Sequence, residues 1–328
     1  MSESGTFIAN PMHTGYFVVN YGADNWASVM EVAAASSYDP VQRKLLAQDV
    51  FILGRMAHVA VDIPSSLLAA FDAVLDFDLW SLMLPRYYQV GIALQKQTYY
   101  SSAVEEPAVA ALGPLVDYFE SSSNTTDEFL QFESLILFWD VFYGDEATAN
   151  QLVSLFESGS QISAGQLDAT YWAAGFYGSS TDYSQLTSIY SSAAVGSSQL
   201  AAAVLGLSAT QDTNLCQQSL SLFGGDSRLG ASDKLVNGGQ MMRYNHACRG
   251  LAWEFVKKEG EVLFHQEGSG AADTVLDVIS GIFTSTGEFQ DLQRYLALNS
   301  AYLTQEQIHS TLVQVEINMG IVAVNDSN

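Results

Sequence analysis

Apolar residues recur at intervals of three and four along most of the chain, and this spacing is typical of amphipathic α-helices. Two series near the end show it clearly. The apolar positions are Val275, Val278, Ile279 and Ile282 in the first series, and Ile308, Leu312, Val315, Met319 and Val322 in the second. Roughly fifteen such segments occur, separated by short connections rich in Gly, Ser and Asp. The pattern predicts a chain built almost entirely of helices.

Short connections make consecutive helices antiparallel neighbours. Stacked helix pairs with no sheet to cover are typical of an α-solenoid, although the sequence shows no fixed-period motif. We therefore predict an all-α fold, a superhelix of antiparallel helix pairs of the HEAT or armadillo kind.

Helix starts are marked by capping residues. Asp39, Pro40 and Gln42 combine a cap, a first-turn proline and a capping-box partner, so a long helix is expected to begin there. The same spacing of a hydroxyl residue and a partner three positions later predicts further helix starts at Ser163 with Gln166, Ser285 with Glu288, and Thr304 with Gln307.

Only the beginning of the chain departs from the helical pattern. Residues 6–9 and 16–21 are rich in β-branched and aromatic side chains and are separated by the turn-like sequence NPMHTG. They predict a β-hairpin, which is marginally stable alone and should belong to a larger sheet. Asp24 is the expected cap of the first helix.

The overall composition excludes some classes of function. The chain has 328 residues, and 36 acidic residues against 12 basic ones give it a net charge of −24. A field of that sign repels nucleic acid, so no nucleic-acid partner is expected. The longest apolar runs are far below the roughly 20 residues of a membrane-spanning helix. No secretory signal is visible in the first ten residues, MSESGTFIAN.

Two kinds of covalent modification remain open. Cys216 and Cys248 have no metal-ligand spacing; one disulfide between them is possible, and two buried free thiols fit the sequence at least as well. Asn124 and Asn325 lie in Asn-x-Ser/Thr sequons, and Asn124, in the polar sequence SSSNTTDE, is the better glycosylation candidate in an extracellular chain.

No catalytic site can be assembled from the sequence. Zinc-protease spacing is absent from the five histidines, and there is neither a Gly-x-Ser-x-Gly elbow nor a phosphate-binding glycine loop. Adjacent acids such as Glu105 and Glu106 point away from each other on a helix and fit a solvated surface. We assign the chain no catalytic residue, no metal ligand and no cofactor.

Aromatic and basic residues suggest a core and two candidate peptide contacts. Trp80, Trp139, Trp172 and Trp253 lie among apolar neighbours and are expected in the core. Arg86 in PRYYQ and Arg243 in MMRY place an arginine beside tyrosine, where it could bind a peptide carboxylate or pair with one of the many acids.

Four stretches, in order, resemble the C-terminal helical domain of the aminopeptidase N family of zinc aminopeptidases. The first is similar to the end of the family's β-sandwich domain, and the others to helical motifs. The matching residues are Gly15, Tyr16, Phe17, Val19, Asn20, Tyr21, Asn25 and Trp26; Asp49, Phe51, Leu53, Arg55 and His58; Leu167, Tyr171, Gly178, Asp182 and Tyr183; and Asn245, Arg249, Leu251, Ala252, Trp253 and Phe255.

The resemblance implies that residues 1–22 are the terminal strands of a β-sandwich and residues 23–328 a bowl of helices. In the family this bowl closes over the zinc site of a catalytic domain and contacts peptide substrate, outside the cell or at a membrane surface. The catalytic domain has no counterpart here, so zinc is expected only outside this chain. Four family positions also differ, being occupied here by Val18, Gly22, Asp168 and Cys248.

Two functions are consistent with the resemblance. The chain is either the non-catalytic C-terminal part of a zinc aminopeptidase, partnered by peptide and by a preceding catalytic domain or chain, or a stand-alone, catalytically inactive helical-repeat protein with a binding or structural role. By itself the chain is expected to be inactive in either case.

Overall fold

The computed structural model describes residues 8–9, 18–279 and 282–326, and within them the chain forms sixteen α-helices and no β-strand. This confirms the predicted all-α class. The helices are α1 (Ala23–Ala34), α2 (Pro40–Arg55), α3 (Asp62–Ala70), α4 (Phe77–Gly91), α5 (Glu106–Ser121), α6 (Asp127–Phe142), α7 (Glu146–Glu157), α8 (Leu167–Phe176), α9 (Ser180–Ser192), α10 (Ser198–Ala209), α11 (Thr213–Gly225), α12 (Ala231–Tyr244), α13 (Arg249–Glu267), α14 (Ala272–Ile279), α15 (Thr286–Leu298) and α16 (Gln305–Asp326).

Most of the predicted capping sites begin helices. Asp39 Oδ1 accepts hydrogen bonds from the backbone N–H groups of Val41 at 2.8 Å and Gln42 at 3.1 Å, with Pro40 as the first residue of α2. Ser285 caps α15 in a complete capping box. Thr304 Oγ1 accepts from the N–H of Gln307 at 3.1 Å and caps α16. These bonds satisfy backbone donors that the first helical turn leaves unpaired.

Two predicted helix starts are wrong. The N–H of Gln166 donates to the carbonyl oxygen of Ser163 at 3.1 Å in a backbone turn, and α8 begins only at Leu167. At the other site α1 begins at Ala23, with Gly22 in the extended conformation that precedes a helix. Asp24 is therefore the second helical residue and not the cap. Neither helix begins where the sequence pattern predicted it.

The predicted hairpin lies mostly outside the described residues. The parts that are described, 8–9 and 18–22, contain no strand. Tyr21 links them through its side chain, because its Oη accepts from Ala9 N at 2.8 Å and lies 3.3 Å from Ala9 O. The proposed domain boundary after residue 22 remains a prediction.

The chain divides into two compact units, Met1–Asn124 with Glu316–Asn328, and Thr125–Val315. In the first unit α2 packs on α3 and α4, while α3 also packs on α1 and α5. Fully buried apolar side chains fill the space between these helices, among them Phe51, Leu67, Trp80 and Leu112.

In the second unit alternate helices pack against one another in chain order, from α6 through α8, α10 and α12 to α14. The helices between them, α7, α9, α11 and α13, each pack on at least one member of this series. The approach of α8 to α10 is so close that a Cβ atom on Gly175 would overlap the carbonyl oxygen of Gly206. This row of helices carries the core residues Trp139 and Trp172, which are buried as predicted.

The predicted apolar stripe is accurate for α14 and displaced for α16. Val275, Val278 and Ile279 are buried on α14, whereas Ile282 is buried but follows the end of the helix. On α16 the buried positions are Thr311, Val315, Asn318 and Ile321. Two of these are polar, and a search for apolar periodicity does not detect them.

None of the helices in the described ranges combines the length and hydropathy of a membrane span.

Cys216 and Cys248 form a disulfide, which decides between the two alternatives left by the sequence. Both residues are fully buried, and the bond joins α11 to the residue immediately before α13. The sequence separation is 32 residues, so the bond removes a large amount of chain entropy from the unfolded state.

We expect the double variant Cys216→Ser with Cys248→Ser to fold less stably by about 3–4 kcal/mol, since the unfolded chain regains the entropy of an open loop. Urea unfolding followed by tryptophan fluorescence measures the loss. Native protein unfolded in the presence of a reductant is the matched control and should show a similar decrease. Equal stability of the variant and the oxidised protein would contradict this role.

Candidate functional site

In the first unit, described residues of the first sequence block of the resemblance contact the second block. Asn20 Oδ1 accepts from Trp26 Nε1 at 3.3 Å, and Asn20 Nδ2 donates to the carbonyl oxygen of His58 at 3.3 Å. The rings of Tyr21 and Trp26 meet edge to face, with centroids 4.8 Å apart. These residues border a cavity of about 760 Å³, together with the segment 58–63 and Asn325.

The two sequon asparagines differ in accessibility. Asn325 lies within α16, where its Oδ1 accepts from Val61 N at 2.8 Å and its Nδ2 donates to Ile321 O at 2.8 Å. Attachment of a glycan there would require both bonds to break. Asn124 is exposed in the connection between α5 and α6. Glycosylation remains a prediction at both sites, and the geometry favours Asn124.

Arg86 lies on α4 in the first unit and is half-buried. Its Nη1 donates to the carbonyl oxygen of Leu82 at 3.2 Å, one turn back on the same helix. Arg55 is close by, and its pKa is lowered first by burial and then by the positive charge of Arg86. Among the described residues Arg86 forms no ion pair with a carboxylate, so its guanidinium keeps donors for a ligand.

Residues of the fourth sequence block of the resemblance form buried hydrogen bonds within the second unit. Asn245 Nδ2 donates to the carbonyl oxygens of Ser208 at 2.9 Å and Thr210 at 2.6 Å, while its Oδ1 accepts from the N–H of Cys248 at 3.1 Å. Arg249 Nε donates to the carbonyl oxygen of Met242 at 3.0 Å. These buried groups connect the ends of α10 and α12 to the start of α13. Their role here is structural, since the bonds described are made within the fold.

Trp253 and Tyr183 also make internal contacts. Trp253 Nε1 donates to Asp291 Oδ2 at 2.6 Å, linking α13 to α15. Tyr183 Oη donates to the carbonyl oxygen of Leu215 at 3.0 Å, linking α9 to α11. The family-like residues of the second unit therefore maintain the fold, and a binding site has to be sought among other residues.

Five aromatic side chains from three helices form a cluster that we call the aromatic surface. Trp172 is at its centre, with ring centroids 5.7 Å from Phe138, 5.4 Å from Phe142, 6.2 Å from Tyr244 and 6.3 Å from Phe176. Phe138 and Phe142 also contact Tyr244, at 6.0 and 5.8 Å. The Trp172 and Phe176 rings are stacked, and the other pairs are edge-to-face or tilted; contacts of these kinds at these distances are favourable.

The aromatic surface is partly open to solvent. The Trp172 side chain is buried, with 1% of its surface exposed, whereas the Phe176 side chain is 38% exposed. Phe138, Phe142 and Tyr244 are half-buried. Large, partly exposed rings that are contiguous in space often mark a site of contact with another molecule.

Three rings of the aromatic surface lie at the C-terminal ends of their helices, because Phe142, Phe176 and Tyr244 are the last residues of α6, α8 and α12. At the end of α6 the chain turns through Gly144, whose φ of 103° lies in the left-handed region that favours glycine. The N–H of Gly144 bonds to Val141 O and that of Asp145 to Asp140 O, both at 3.2 Å, which is the Schellman pattern.

Arg243 precedes Tyr244 and is the one predicted contact that lies beside the aromatic surface in the sequence. Its Nη2 donates to the carbonyl oxygen of Asp277 at 3.2 Å, so the side chain extends from α12 to α14. Arg86 lies in the first unit and Arg243 in the second.

Sequence reasoning missed Phe138, Phe142 and Phe176. The detectable signal was the sequence of α6, DEFLQFESLILFWDVF, whose apolar residues are not confined to one face, so that it carries more aromatic residues than one core face can bury. In the described ranges no three His, Cys, Asp or Glu side chains come together in a way that could hold a metal ion.

The fold and site define an all-helical protein with an open aromatic surface. Residues 6–316 match the family described as the ERAP1-like C-terminal domain, and the chain belongs to this family. The match supports a helical domain of the kind that forms the C-terminal part of aminopeptidase-family proteins, as the sequence resemblance implied. No curated protein sequence matches the chain significantly.

We expect Phe176→Ala to reduce the free energy of unfolding by only about 1 kcal/mol, because its ring is already partly hydrated. Phe223→Ala is the matched control, since Phe223 on α11 is fully buried, and it should cost about 3–5 kcal/mol. Denaturant unfolding compares the two. Equal losses would show that Phe176 is a core residue and not part of an open surface.

Proposed function

We propose that the chain is the non-catalytic helical part of a zinc aminopeptidase, where it covers the active site of a catalytic domain and contacts the peptide substrate. The observation that carries this proposal is the open aromatic surface on a member of the ERAP1-like C-terminal domain family. Fixed, partly exposed rings provide a large contact area for peptide side chains at little cost in conformational entropy.

The order of helix packing supports a solenoid arrangement within the second unit. Helices α6, α8, α10, α12 and α14 pack in succession, with the intervening helices against them. Such a series forms an extended surface of side chains without requiring long loops. We propose that it has the HEAT- or armadillo-like character expected from the sequence.

Zinc and the hydrolytic step would come from a catalytic domain outside this chain. There the metal would activate the attacking water. The residues described here would bind and orient the peptide: the aromatic surface through apolar contact, and Arg86 and Arg243 through carboxylate groups. By itself the chain is proposed to be inactive.

A stand-alone, inactive binding protein is the second candidate. Asp168 favours it, because this position holds an arginine in the resembling family and a half-buried carboxyl here. Burial raises the pKa of Asp168. A reversal of charge at a family position is the kind of change expected when a domain acquires a different ligand.

We further propose that the protein is extracellular or associated with a membrane surface. The Cys216–Cys248 disulfide supports it, because structural disulfides persist in oxidising compartments and are rare in the cytosol. The exposed sequon at Asn124 is consistent with the same location.

Isolation of the native protein tests the proposed function directly. We expect the chain to be recovered joined to, or tightly bound by, a polypeptide with a His-Glu-x-x-His motif, with bound zinc and activity on an aminoacyl reporter. Intact mass, zinc content and hydrolysis are measured on the same preparation. Mass before and after glycosidase treatment and reduction also reports the glycan and the disulfide.

A native species of 35.5 kDa that is alone, zinc-free and inactive would contradict the enzyme-part proposal and support the stand-alone protein. A fully reduced, unglycosylated product would contradict the proposed location.

We expect Arg86→Ala and Arg243→Ala each to weaken the binding of short labelled peptides with free carboxyl ends by about tenfold, or about 1.4 kcal/mol, since each removes a charged donor. Fluorescence anisotropy gives the dissociation constants. Lys258→Ala is the matched control, because Lys258 is an exposed cation that pairs with Glu259 at 3.7 Å. Unchanged binding in both arginine variants would remove them from the site.

A further inference from the structure

A half-buried carboxylate, that of Asp168, precedes the central ring of the aromatic surface by about one turn of α8. Asp168 is the second residue of α8 and precedes Trp172 by four positions. Residues four apart on a helix lie on the same face, about one turn from each other, so Asp168 and the central ring of the aromatic surface are neighbours. Among the described residues the Asp168 carboxylate has neither a hydrogen bond nor an ion pair.

The setting of Asp168 differs from that of Asp182 and Asp226, two other acids of the second unit. Asp182 accepts the N–H of Ser179 at 2.7 Å in a capping box. Asp226 is bonded by the Arg228 guanidinium at 2.7 Å, which lowers the pKa of Asp226 to about 2. Asp168 has no such partner, and burial alone raises its pKa. A half-buried charge without a partner costs free energy that a cationic ligand would recover.

The surroundings of Asp168 also favour a positive ligand. The faces of aromatic rings carry partial negative charge and attract ammonium and guanidinium groups. The whole chain has a net charge of −24, which steers cations towards it.

We propose that Asp168 and the aromatic surface bind a cationic side chain, lysine or arginine, of a peptide. The aliphatic stem of the side chain lies against the rings, and its charged end reaches the carboxylate of Asp168. The inference rests on the proposed peptide contact and names the class of peptide that the surface selects.

Two series of short alanine-based peptides test the proposal, with one lysine or one norleucine placed at each position in turn. Norleucine has a similar apolar stem without the charge. At the best position we expect the lysine peptide to bind about tenfold more tightly, as the sum of one cation–π contact and one ion pair. Fluorescence anisotropy on the native, oxidised chain provides the dissociation constants.

Asp168→Asn keeps the side-chain shape, removes the charge and should abolish the preference for lysine. The variant should unfold at the same temperature or a higher one, because the unpaired buried charge is gone, so loss of preference would not reflect misfolding. Glu157→Gln on α7 is the matched control, since it makes the same change at an exposed position of the second unit. Asp168→Arg should reverse the preference towards glutamate peptides.

The outcomes separate the two proposals. If no peptide of either series binds, the proposed peptide contact itself is wrong. If lysine and norleucine peptides bind equally well, or if Asp168→Asn retains the preference for lysine, peptide contact stands and cation selection is wrong.

Discussion

The buried carboxamide of Asn245 is the interaction on which the second unit most depends. Its Nδ2 donates to two carbonyl oxygens at the end of α10, and its Oδ1 accepts a hydrogen bond from the N–H of Cys248, which directly precedes α13. A buried donor or acceptor left without a hydrogen bond would cost about 1–3 kcal/mol of stability, so the Asn245 amide and the backbone groups that it pairs with stabilise each other. The Cys216–Cys248 disulfide closes the same junction covalently. Tyr244 directly precedes Asn245, so this junction also fixes the position of one ring of the aromatic surface.

The aromatic surface follows from helices that are apolar on more than one side. Helix α6 begins the series of alternate helices and α8 and α12 lie between neighbours in it, and core contacts bury most of their apolar residues. Where α6, α8 and α12 end, no further helix turn covers the last residues. The rings there remain half-covered, held by one another and by the buried indole of Trp172.

Residues that carry the family resemblance and residues suited to ligand contact are different sets. Asn245, Arg249 and Trp253 form buried bonds that any member of the family could need to fold. Asp168 and Cys248 depart from the family. Asp168 lies one helical turn before Trp172 of the aromatic surface, and Cys248 forms the disulfide that joins α11 to the connection between α12 and α13. Divergence from the family therefore directs attention to specificity, while similarity directs it to the fold.

The sequence by itself determined the helical class, the buried tryptophans and the helix starts at Asp39, Ser285 and Thr304. Those starts are readable because each capping bond joins residues two or three positions apart. Tertiary structure alone decided the pairing of Cys216 with Cys248, the bonds of Asn245 to a segment 35–37 residues earlier, and the assembly of Phe138, Trp172 and Tyr244 into one surface. These contacts join residues that are distant in the chain, and local periodicity contains no information about which distant residues the packing of helices brings together.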